Sequence, residues 1–469
     1  MTHVVVVGGG ISGLTAAYRL RTLLPAPARI TVVEQAVVGG KLRTIGLGGL
    51  AYDVGAETFL VRRPEAVRLV TELGLAGRLV HPTPVTPGLR IAGRTAALPA
   101  GTVLGVPADP DALAGVLSAG GLARARAERD RPLAWAGGDV AVGGIVTERF
   151  GAEVTERLVD PLLGGVYAGS ADRLGLRATM PGLAAELDAA ARAGRPVSLT
   201  GAAAAVLRDG SGGPVFGALA GGMCVLVDAL RDRAGAEFRV GLPVRALHRA
   251  SGGWRVEIGA APSPEFLHAD AVLLAVPPPA LRRLLAPLSP AAGTAAAGID
   301  VASMAVVALA FPPQIVLPAM SGVLAGAAEP LHAKAVTYSS RKWAHLAGGP
   351  VLVRASVGRH GDAAALQVDD QELIRRVLDD LAALAGVTAK PIDAVVMRWG
   401  GGLPQYAVGH VERVDTIEAE VAGLPGLAVA GAALHGVGVA ACIGTAEAAA
   451  RHVMEHVRAG DGSIGAWRG

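Results

Sequence analysis

Apolar runs, glycine turns and helical periodicity follow one another at the start of the chain. Val4–Val7 is a run of β-branched residues that predicts a buried strand. Ile11–Leu24 carries helical periodicity built on small residues, and Arg29–Gln35 predicts a second strand. A strand, a helix and a strand in this order predict a βαβ unit, and therefore a parallel sheet within an α/β domain.

The middle of the chain has a different pattern. Pro82–Pro196 is rich in Ala, Gly, Leu and Arg, and it predicts helices within Asp111–Arg129 and Val142–Leu163. Alternation returns in Phe238–Ile258, which predicts two strands joined by a Ser-Gly-Gly turn, while Ala269–Leu285 predicts a buried strand leading into a helix. We therefore expect a helical region between two regions that contain strands.

Strands and helices alternate again in residues 288–399, and Gly426–Met454 predicts a strand, a glycine loop and a long helix of small residues. Val301–Ala328 contains no charged residue and has the length of a membrane span. Three prolines interrupt it, and Ser303–Phe311 has the composition of a buried strand, so we expect no transmembrane helix. The chain shows no internal repeat and no long linker, which predicts domains interleaved along the sequence.

Composition limits the classes of protein to which the chain can belong. Its 469 residues are too many for one ordinary core, and 51% hydrophobic with 18% charged residues describes a globular protein. The net charge of +3 comes without a basic run, which argues against a nucleic-acid partner and leaves a small polyanionic substrate open. The apolar helical region leaves weak membrane association open, and the sequence leaves the oligomeric state open.

Cysteine and histidine usage gives two further expectations. Cys224 and Cys442 are too few for a disulfide framework, and they fit a reducing cytoplasm. The eleven histidines include neither an HxH nor an HExxH spacing, so we expect no metal site. The N-terminus has no signal-peptide pattern, and we expect a cytoplasmic protein.

Three glycines form a dinucleotide-binding pattern between the first strand and the first helix. Gly8, Gly10 and Gly13 satisfy G-x-G-x-x-G, which provides a tight turn, close approach of a pyrophosphate to the backbone, and close packing of helix on strand. The helix N-terminus adds amide donors and the positive end of its dipole. Glu34 closes the second strand, where a carboxylate accepts hydrogen bonds from ribose hydroxyls.

Later motifs favour FAD over NAD. A glycine pair with a cation, Gly39, Gly40 and Lys41, follows the ribose acid, which suits a larger cofactor that extends across the domain. A second glycine-rich junction between strand and helix, Gly431–Gly438, lies near the C-terminus. Flavin enzymes often direct such a helix N-terminus at the pyrimidine end of the flavin, where reduction leaves negative charge.

Several motifs together resemble one family. The chain is similar to the FAD-dependent protoporphyrinogen and coproporphyrinogen oxidases, relatives of monoamine oxidases and phytoene desaturases, and it looks most like their bacterial coproporphyrinogen III oxidase branch. The segments that carry the resemblance are GGGISG, GGKLRT and AYDVGAETF for the wider superfamily, and Arg149–Pro181, Phe216–Leu230, Arg398–Val414 and AGAALHGVGVAACIGTAEAAA for the narrower family.

The resemblance implies a monoamine-oxidase-like α/β fold. A Rossmann-type FAD-binding domain would be interleaved with a mixed-sheet substrate domain and a helical subdomain. The expected segments are a first FAD-binding part (1–80), a helical region that caps the substrate (81–200), a second FAD-binding part (201–285), the substrate domain (286–412) and a third FAD-binding part (413–469).

Non-covalent FAD and its contacts are also implied. The glycine turn would surround the pyrophosphate, Glu34 would hold the adenosine ribose, the main chain of Val244 would bind the adenine, and Val437–Val439 would lie at the pyrimidine end. The implied cofactor contacts are Gly8, Gly9, Gly10, Ile11, Ser12, Gly13, Glu34, Gln35, Lys41, Gly55, Ala56, Glu57, Thr58, Val244, Val437, Gly438 and Val439.

Three positions depart from the family pattern. Ala441 and Ala446 stand where the family often has an aspartate and a glycine, and Ala56 stands where it often has a proline. These departures put the local geometry of the last helix in doubt more than the choice of cofactor.

The implied activity is oxidation of a porphyrinogen in haem biosynthesis. Six electrons would leave the tetrapyrrole in three flavin cycles, with hydride transfer to FAD and dioxygen as the acceptor. This chemistry asks the protein to orient the ring rather than to supply an acid or base, so no side chain is assigned as catalytic. Coproporphyrinogen III is the favoured substrate and protoporphyrinogen IX the alternative. An amine oxidase, a carotenoid desaturase and a carrier without catalysis are more remote alternatives.

Arginines would hold the propionate rim, because guanidinium groups bind carboxylates bidentately. We favour Arg63, which follows the flavin segment shortly. Tyr167, Tyr406 and His410 either line the substrate pocket or pack with satisfied hydrogen bonds, and Trp399 is expected in the core. Further arginine candidates are Arg62, Arg90 and Arg177.

Overall fold

A computed structural model describes residues 1–208 and 213–465. Residues 209–212 and 466–469, which belong to the predicted segments 201–285 and 413–469, lie outside the described residues. The strands in the described part are β1 (Thr2–Val7), β2 (Ala28–Glu34), β3 (Thr44–Leu47), β4 (Leu50–Asp53), β5 (Phe59–Leu60), β6 (Leu79–Val80), β7 (Gly88–Ile91), β8 (Arg94–Ala97), β9 (Thr102–Val103), β10 (Val106–Pro107), β11 (Phe216–Leu219), β12 (Glu237–Val240), β13 (Val244–Ala250), β14 (Gly253–Ile258), β15 (Glu265–Ala269), β16 (Ala271–Leu274), β17 (Val301–Phe311), β18 (Gly322–Ala325), β19 (Ala333–Thr337), β20 (Val351–Val357), β21 (Asp393–Pro404) and β22 (Leu427–Val429).

Helices occupy much of the remaining chain. In the same residues they are α1 (Ile11–Leu23), α2 (Pro64–Glu72), α3 (Ala119–Arg126), α4 (Val142–Phe150), α5 (Ala152–Val154), α6 (Asp160–Tyr167), α7 (Leu176–Thr179), α8 (Pro181–Arg192), α9 (Leu199–Arg208), α10 (Cys224–Arg233), α11 (Pro278–Leu285), α12 (Pro290–Ala297), α13 (Ser339–Lys342), α14 (Asp370–Ala385), α15 (His410–Ala422) and α16 (Val439–Gly465).

A five-stranded parallel sheet, in the order β12-β2-β1-β16-β22, is built around the predicted βαβ unit. Val4 of β1 lies opposite Ile30 of β2 on one side and Ala271 of β16 on the other. The predictions for β1, α1 and β2 are confirmed to within two residues. Strands from three distant parts of the chain complete this sheet, so the fold is interleaved, while the exact domain boundaries stay a prediction.

Apolar side chains cover both faces of the parallel sheet. Val4 and Val6 pack towards α1 and α16, whereas Val5 and Val7 pack towards β13–β15, α11 and α12. Because α1 follows β1 and α16 follows β22, both helices begin at the carboxyl edge of the sheet, where ligands bind in folds of this kind. The candidate site lies at this edge.

A second, seven-stranded mixed sheet has the order β21-β17-β20-β19-β18-β7-β8. Its strands pair antiparallel except β18 with β7, which are parallel. The expected strand over Ser303–Phe311 is confirmed as β17, buried along most of its length. Among the described residues, no helix combines the length and apolar character needed to cross a membrane.

The predicted helical region 81–200 begins with strands, which is a correction. β7 and β8 form a hairpin whose turn residues Ala92 and Gly93 both have positive φ, 46° and 78°. Such a turn matches the twist of paired strands, and the hairpin joins the edge of the mixed sheet. The sequence prediction missed it because alanine seldom occupies this conformation.

The rest of that region is helical and has its own apolar core. The helix predicted over Val142–Leu163 is interrupted at Gly151 (φ 95°), after which α5, a π turn (Thr155–Val159) and α6 follow. The helix predicted over Asp111–Arg129 is a 3₁₀ turn, Pro110–Leu113, followed by α3. A parallel sheet, a mixed sheet and a helical subdomain confirm the predicted fold class.

Candidate active site

The glycine turn between β1 and α1 is shaped by close contacts on one side and open space on the other. A Cβ on Gly13 would lie 1.8 Å from the carbonyl oxygen of Gly8, and a Cβ on Gly8 would lie 2.4 Å from that of Ala275. A Cβ on Gly10 would meet no described atom within 4 Å. Two glycines therefore allow packing, and the third leaves a cradle open at the N-terminus of α1, where an anion binds favourably.

Glu34 closes the cradle from β2. Its Oε2 accepts a hydrogen bond from the N–H of Gly9 at 2.7 Å, and its Oε1 accepts one from the N–H of Ala36 at 2.8 Å. A carboxylate has about four acceptor positions, so both oxygens can still accept bonds from ribose hydroxyls. Gln35, the next predicted contact, is exposed beside it.

Val244 begins β13 close to this acid. The N–H of Leu242 donates to the carbonyl oxygen of Glu34 at 3.2 Å, which brings the start of β13 beside the end of β2. The Val244 carbonyl already accepts a hydrogen bond from Arg283 Nη2 at 2.8 Å, and a carbonyl oxygen has a second lone pair. The predicted adenine contact is therefore near the predicted ribose contact.

The second glycine pair lies against the first turn. The N–H of Gly39 donates to the carbonyl of Gly9 at 2.8 Å, and a Cβ on Gly40 would lie 3.1 Å from the Cα of Gly10. The N–H of Ala56 then donates to the carbonyl of Lys41 at 2.9 Å. Three motifs that are separate in sequence thus contact one another in the fold.

Residues that the sequence analysis did not identify fix the 53–57 segment. Lys342 and Arg354 both form ion pairs with the Glu57 carboxylate. Burial alone would raise the pKa of Glu57, but the two cations and their hydrogen bonds hold it at about 2. Arg354 also donates to the carbonyls of Asp53 and Gly55, at 3.2 and 3.0 Å. Because these partners lie almost 300 residues away, no local pattern could have revealed them.

The glycine loop before α16 faces the same region. A Cβ on Gly438 would meet no described atom within 4 Å, so space is open at this helix N-terminus, as at Gly10. Ser12 Oγ donates to the carbonyl of Cys442 at 3.2 Å and ties α1 to α16. Burial raises the pKa of the Cys442 thiol, and the charge of Lys41 opposes this rise.

The predicted substrate residues Arg63, Tyr167 and Tyr406 lie near one another. Arg63 is exposed, and it makes no hydrogen bond or ion pair within the described residues. Burial raises the pKa of Tyr167 to about 12 and also raises that of Tyr406, while the Arg63 charge lowers both. The two tyrosine rings lie 5.5 Å apart, centroid to centroid. A Cβ on Gly436 would lie 3.8 Å from Arg63 Nη1, and the N–H of Gly436 donates to Tyr406 Oη, so a guanidinium without a partner among the described residues lies near the aromatic pair.

Two of the other arginine candidates, Arg177 and Arg90, have partners within the protein, whereas Arg62, like Arg63, is exposed and has none among the described residues. Arg177 forms two 3.0 Å hydrogen bonds with the carboxylate of Asp188. Arg90 donates to Thr95 and lies 4.0 Å from Glu329.

The Trp399 side chain, expected in the core, is partly buried. It donates to the carbonyl of Val54 at 3.0 Å, and this hydrogen bond further stabilises the 53–57 segment.

The described residues fit a flavin dinucleotide. Two helix N-termini, α1 and α16, open onto glycine cradles that a side chain would fill, and a carboxylate lies at the end of the second strand. One end of the site thus suits a pyrophosphate and a ribose. The other end, with Arg63 and the tyrosines, suits an aromatic substrate with anionic groups.

Comparison with known proteins also indicates a flavin enzyme. Residues 11–454 match the model of the family described as flavin containing amine oxidoreductase. The chain is 47% identical to the coproporphyrinogen III oxidase of Mycobacterium tuberculosis over 96% of this chain and 97% of that protein. It is 30% identical to the Bacillus subtilis protein of the same name, over 97% and 98%, and 28% identical to the protoporphyrinogen oxidase of Macaca fascicularis, over 96% and 98%.

Solved structures agree in fold. A protein of Exiguobacterium sp. 255-15 that carries the name protoporphyrinogen oxidase superposes with a TM-score of 0.85 at 29% identity, over 97% of this chain and 99% of that one. Cyclohexylamine oxidase from Brevibacterium oxydans, at 16% identity and a TM-score of 0.69 over 97% and 99%, shares the fold alone.

Proposed function

Because this chain belongs to the flavin containing amine oxidoreductases, and within them to the coproporphyrinogen III oxidases, we propose that it oxidises coproporphyrinogen III to coproporphyrin III with non-covalently bound FAD. Six electrons and six protons leave the tetrapyrrole in three two-electron steps. Three molecules of dioxygen take them up and become three molecules of hydrogen peroxide. The observation that carries the proposal is 47% identity along almost the whole of both chains.

The choice of substrate follows the order of similarity. Relatives named coproporphyrinogen III oxidase reach 47% identity, whereas the Macaca fascicularis protoporphyrinogen oxidase is 28% identical. Arg63, which has no hydrogen-bond or ion-pair partner among the described residues, supports a substrate with propionates. A tetrapropionate offers more carboxylates to the site than a dipropionate. Protoporphyrinogen IX remains the second candidate, and an amine or a polyene is more remote.

In this proposal the chain binds and orients both partners. The α1 N-terminus with Gly8–Gly13 would hold the pyrophosphate, Glu34 the ribose and the main chain of Val244 the adenine. Lys41, the segment Gly55–Thr58 and Val437–Val439 would lie along the flavin. FAD, when bound, supplies the hydride acceptor.

At the substrate end, Arg63 would bind a propionate, while Tyr167 and the ring of Tyr406 would line the pocket. No described side chain is required as a general base, because tautomerisation and loss of protons from pyrrole nitrogens would follow each hydride transfer. The residues at this end would therefore serve to orient the substrate.

Turnover of the two porphyrinogens by the FAD-loaded protein under air tests the proposal. Porphyrin fluorescence is followed with coproporphyrinogen III and protoporphyrinogen IX in parallel, and the rate of the flavin-free protein is subtracted as spontaneous oxidation. Faster turnover of coproporphyrinogen III is the expected result, and preference for protoporphyrinogen IX would assign the second candidate. Equal rates with and without flavin would overturn both and direct attention to amines and polyenes.

Three further measurements separate the remaining alternatives. A carrier without catalysis would bind FAD, yet coproporphyrinogen III would not bleach the flavin in the absence of oxygen. Acid denaturation releases a non-covalent flavin into the supernatant, whereas a covalent flavin stays with the protein. A cytoplasmic location, supported by the two free cysteines Cys224 and Cys442, is tested by fractionating cells.

A further inference from the structure

The segment Gln405–His410 contacts the glycine loop that precedes α16. Tyr406 Oη donates to the carbonyl of Ala432 at 2.8 Å and accepts from the N–H of Gly436 at 2.8 Å. His410 Nε2 lies 3.1 Å from the carbonyl of Leu434. Two side chains thus hold three alternate residues of one loop, which we name the 432–436 loop.

The two side chains also support each other. Their rings stack with centroids 3.8 Å apart and an interplanar angle of 18°. Tyr406 is 1% and His410 2% exposed. Because the Leu434 carbonyl can only accept, Nε2 carries the imidazole proton, and the buried Nδ1 has no partner among the described residues. Burial lowers the pKa of His410 to about 4, so the ring is neutral at neutral pH.

The 432–436 loop needs such support. Gly431 and Gly436 have φ of 127° and 142°, and Gly438 after them has open space beside it. Glycine loses more conformational freedom on folding than any other residue, so a loop with this composition has many alternatives to its native path. The loop sets the direction in which the backbone enters α16.

We propose that Tyr406 and His410 are positioning residues that fix the 432–436 loop, and with it the N-terminus of α16, in the conformation that receives the flavin. This inference rests on the proposed FAD site. Neither side chain need touch the cofactor for this role, since each acts through the backbone that it holds. The hydroxyl of Tyr406 is thereby assigned to the loop, and only its ring remains for the substrate pocket.

The test compares Tyr406→Phe with Tyr338→Phe. The hydroxyl of Tyr406 makes two hydrogen bonds to the loop, whereas the buried hydroxyl of Tyr338 has no partner among the described residues, so the second variant is a matched control. We expect Tyr406→Phe to bind FAD about tenfold or more weakly, as the loss of two hydrogen bonds implies, and Tyr338→Phe to bind it as the wild type does. Flavin fluorescence quenching on reconstitution measures both dissociation constants.

A second pair of variants keeps the test independent of one substitution. In His410→Gln the amide nitrogen can reach the position of Nε2, while in His410→Asn it falls short of the Leu434 carbonyl. We expect glutamine to restore most of the FAD affinity that asparagine loses. Equal loss in the two variants, or wild-type affinity in both Tyr406→Phe and His410→Asn, would overturn the inference.

Hydrogen exchange on the flavin-free protein separates this inference from the proposed function. Tyr406→Phe should exchange faster than the wild type in residues 431–438, with β1 and β16 unchanged as internal references. Unaltered exchange there overturns the inference even if the wild type binds FAD. If Tyr406→Phe exchanges faster but the wild type fails to bind FAD, the effect of Tyr406 on the loop stands. The cofactor proposal would then be overturned, and with it the role of Tyr406 and His410 in receiving the flavin.

Discussion

The N–H of Gly9 donates to Glu34 Oε2 at 2.7 Å, so the proposed ribose acceptor is hydrogen-bonded to the glycine turn before any ligand binds. The same carboxylate accepts from the N–H of Ala36 through its other oxygen. Its orientation is therefore preset, and little side-chain freedom remains to be lost when a dinucleotide binds.

Replacing Glu34 should weaken the binding of FAD more than it weakens the fold. Glu34→Ala removes the proposed ribose acceptor and leaves the N–H groups of Gly9 and Ala36 to water. We expect FAD to bind roughly 10- to 100-fold more weakly, as the loss of charge-assisted bonds implies. Equilibrium titration of the flavin-free protein measures this. Glu237→Gln, which changes an exposed ion pair with Arg29 on the neighbouring strand, should leave the affinity unchanged.

Two glycines of the same turn should respond in opposite ways. In Gly13→Ala the new Cβ would lie 1.8 Å from the Gly8 carbonyl, so we expect the flavin-free protein to melt at a clearly lower temperature. In Gly10→Ala the new Cβ meets open space, so the flavin-free protein should melt as the wild type does while FAD binding weakens. Thermal melting with and without FAD distinguishes the two. Equal melting losses in both flavin-free variants would contradict the assignment of the cradle.

Replacing Arg63 should weaken the binding of the substrate and leave the binding of the cofactor unchanged. We expect Arg63→Ala to raise the KM for coproporphyrinogen III about tenfold or more, because a guanidinium–carboxylate hydrogen bond is lost, and to leave FAD affinity near that of the wild type. Steady-state kinetics and flavin titration give the two values. Arg62→Ala is the neighbouring control, because Arg63, and not Arg62, is the arginine whose charge acts on Tyr167 and Tyr406. A similar rise in KM for both variants would speak for a general charge effect.

Asp53 should make stability depend on pH. Burial raises its pKa to about 6, against hydrogen bonds from Thr44 and from the N–H of Met223. In the unfolded chain an aspartate titrates near pH 4, so the folded state binds the extra proton, and stability from this group is lost as pH rises from about 4 through 6.

The variant Asp53→Asn isolates that dependence. Its stability relative to the wild type should increase between pH 4 and 6.5 and then stay level, as measured by urea unfolding at matched pH values. Asp130→Asn, at an exposed aspartate, is the control for the loss of one carboxylate elsewhere on the chain. A stability difference for Asp53→Asn that does not change with pH would rule out the raised pKa.

The helical subdomain contains a buried ion pair whose loss should be costly. Glu128 and Arg149 are 0% and 3% exposed, and the carboxylate also accepts from the N–H groups of Leu199 and Thr200 at the start of α9. Glu128→Ala leaves a guanidinium buried without its anion, so we expect a loss of about 3–5 kcal/mol. Chemical denaturation measures it, and Arg126→Ala, in an exposed pair with Asp111, should cost about 1 kcal/mol or less.

The sequence predicts more of the proposed cofactor end than of the proposed substrate end, and the contacts of these residues with a ligand stay predictions. The glycine turn, Glu34 and the second glycine pair were predictable because each lies beside a strand or helix whose own pattern is clear. Lys342 and Arg354, which form ion pairs with Glu57, were missed because only the packing of α13 and β20 against the 53–57 segment brings them there. The β7–β8 hairpin was missed because its turn uses an alanine at positive φ.

The segment PQYAVGH shows the difference between finding a motif and assigning its role. Its composition is distinctive. For Tyr406 and His410, however, the sequence is compatible both with lining the pocket and with internal packing. Only the hydrogen bonds to Ala432, Leu434 and Gly436 show which backbone it holds, and these partners lie more than 20 residues further along the chain.

The parallel sheet also determines when the protein can acquire its flavin during synthesis. β1 and β2 are made first, β16 joins them some 240 residues later, and β22 with α16 emerges only after residue 427. Until then the parallel sheet lacks strands, and the unpaired edge of its apolar strands favours aggregation. The proposed flavin site, which uses the N-termini of both α1 and α16, is therefore complete only after β22 and α16 have joined the sheet.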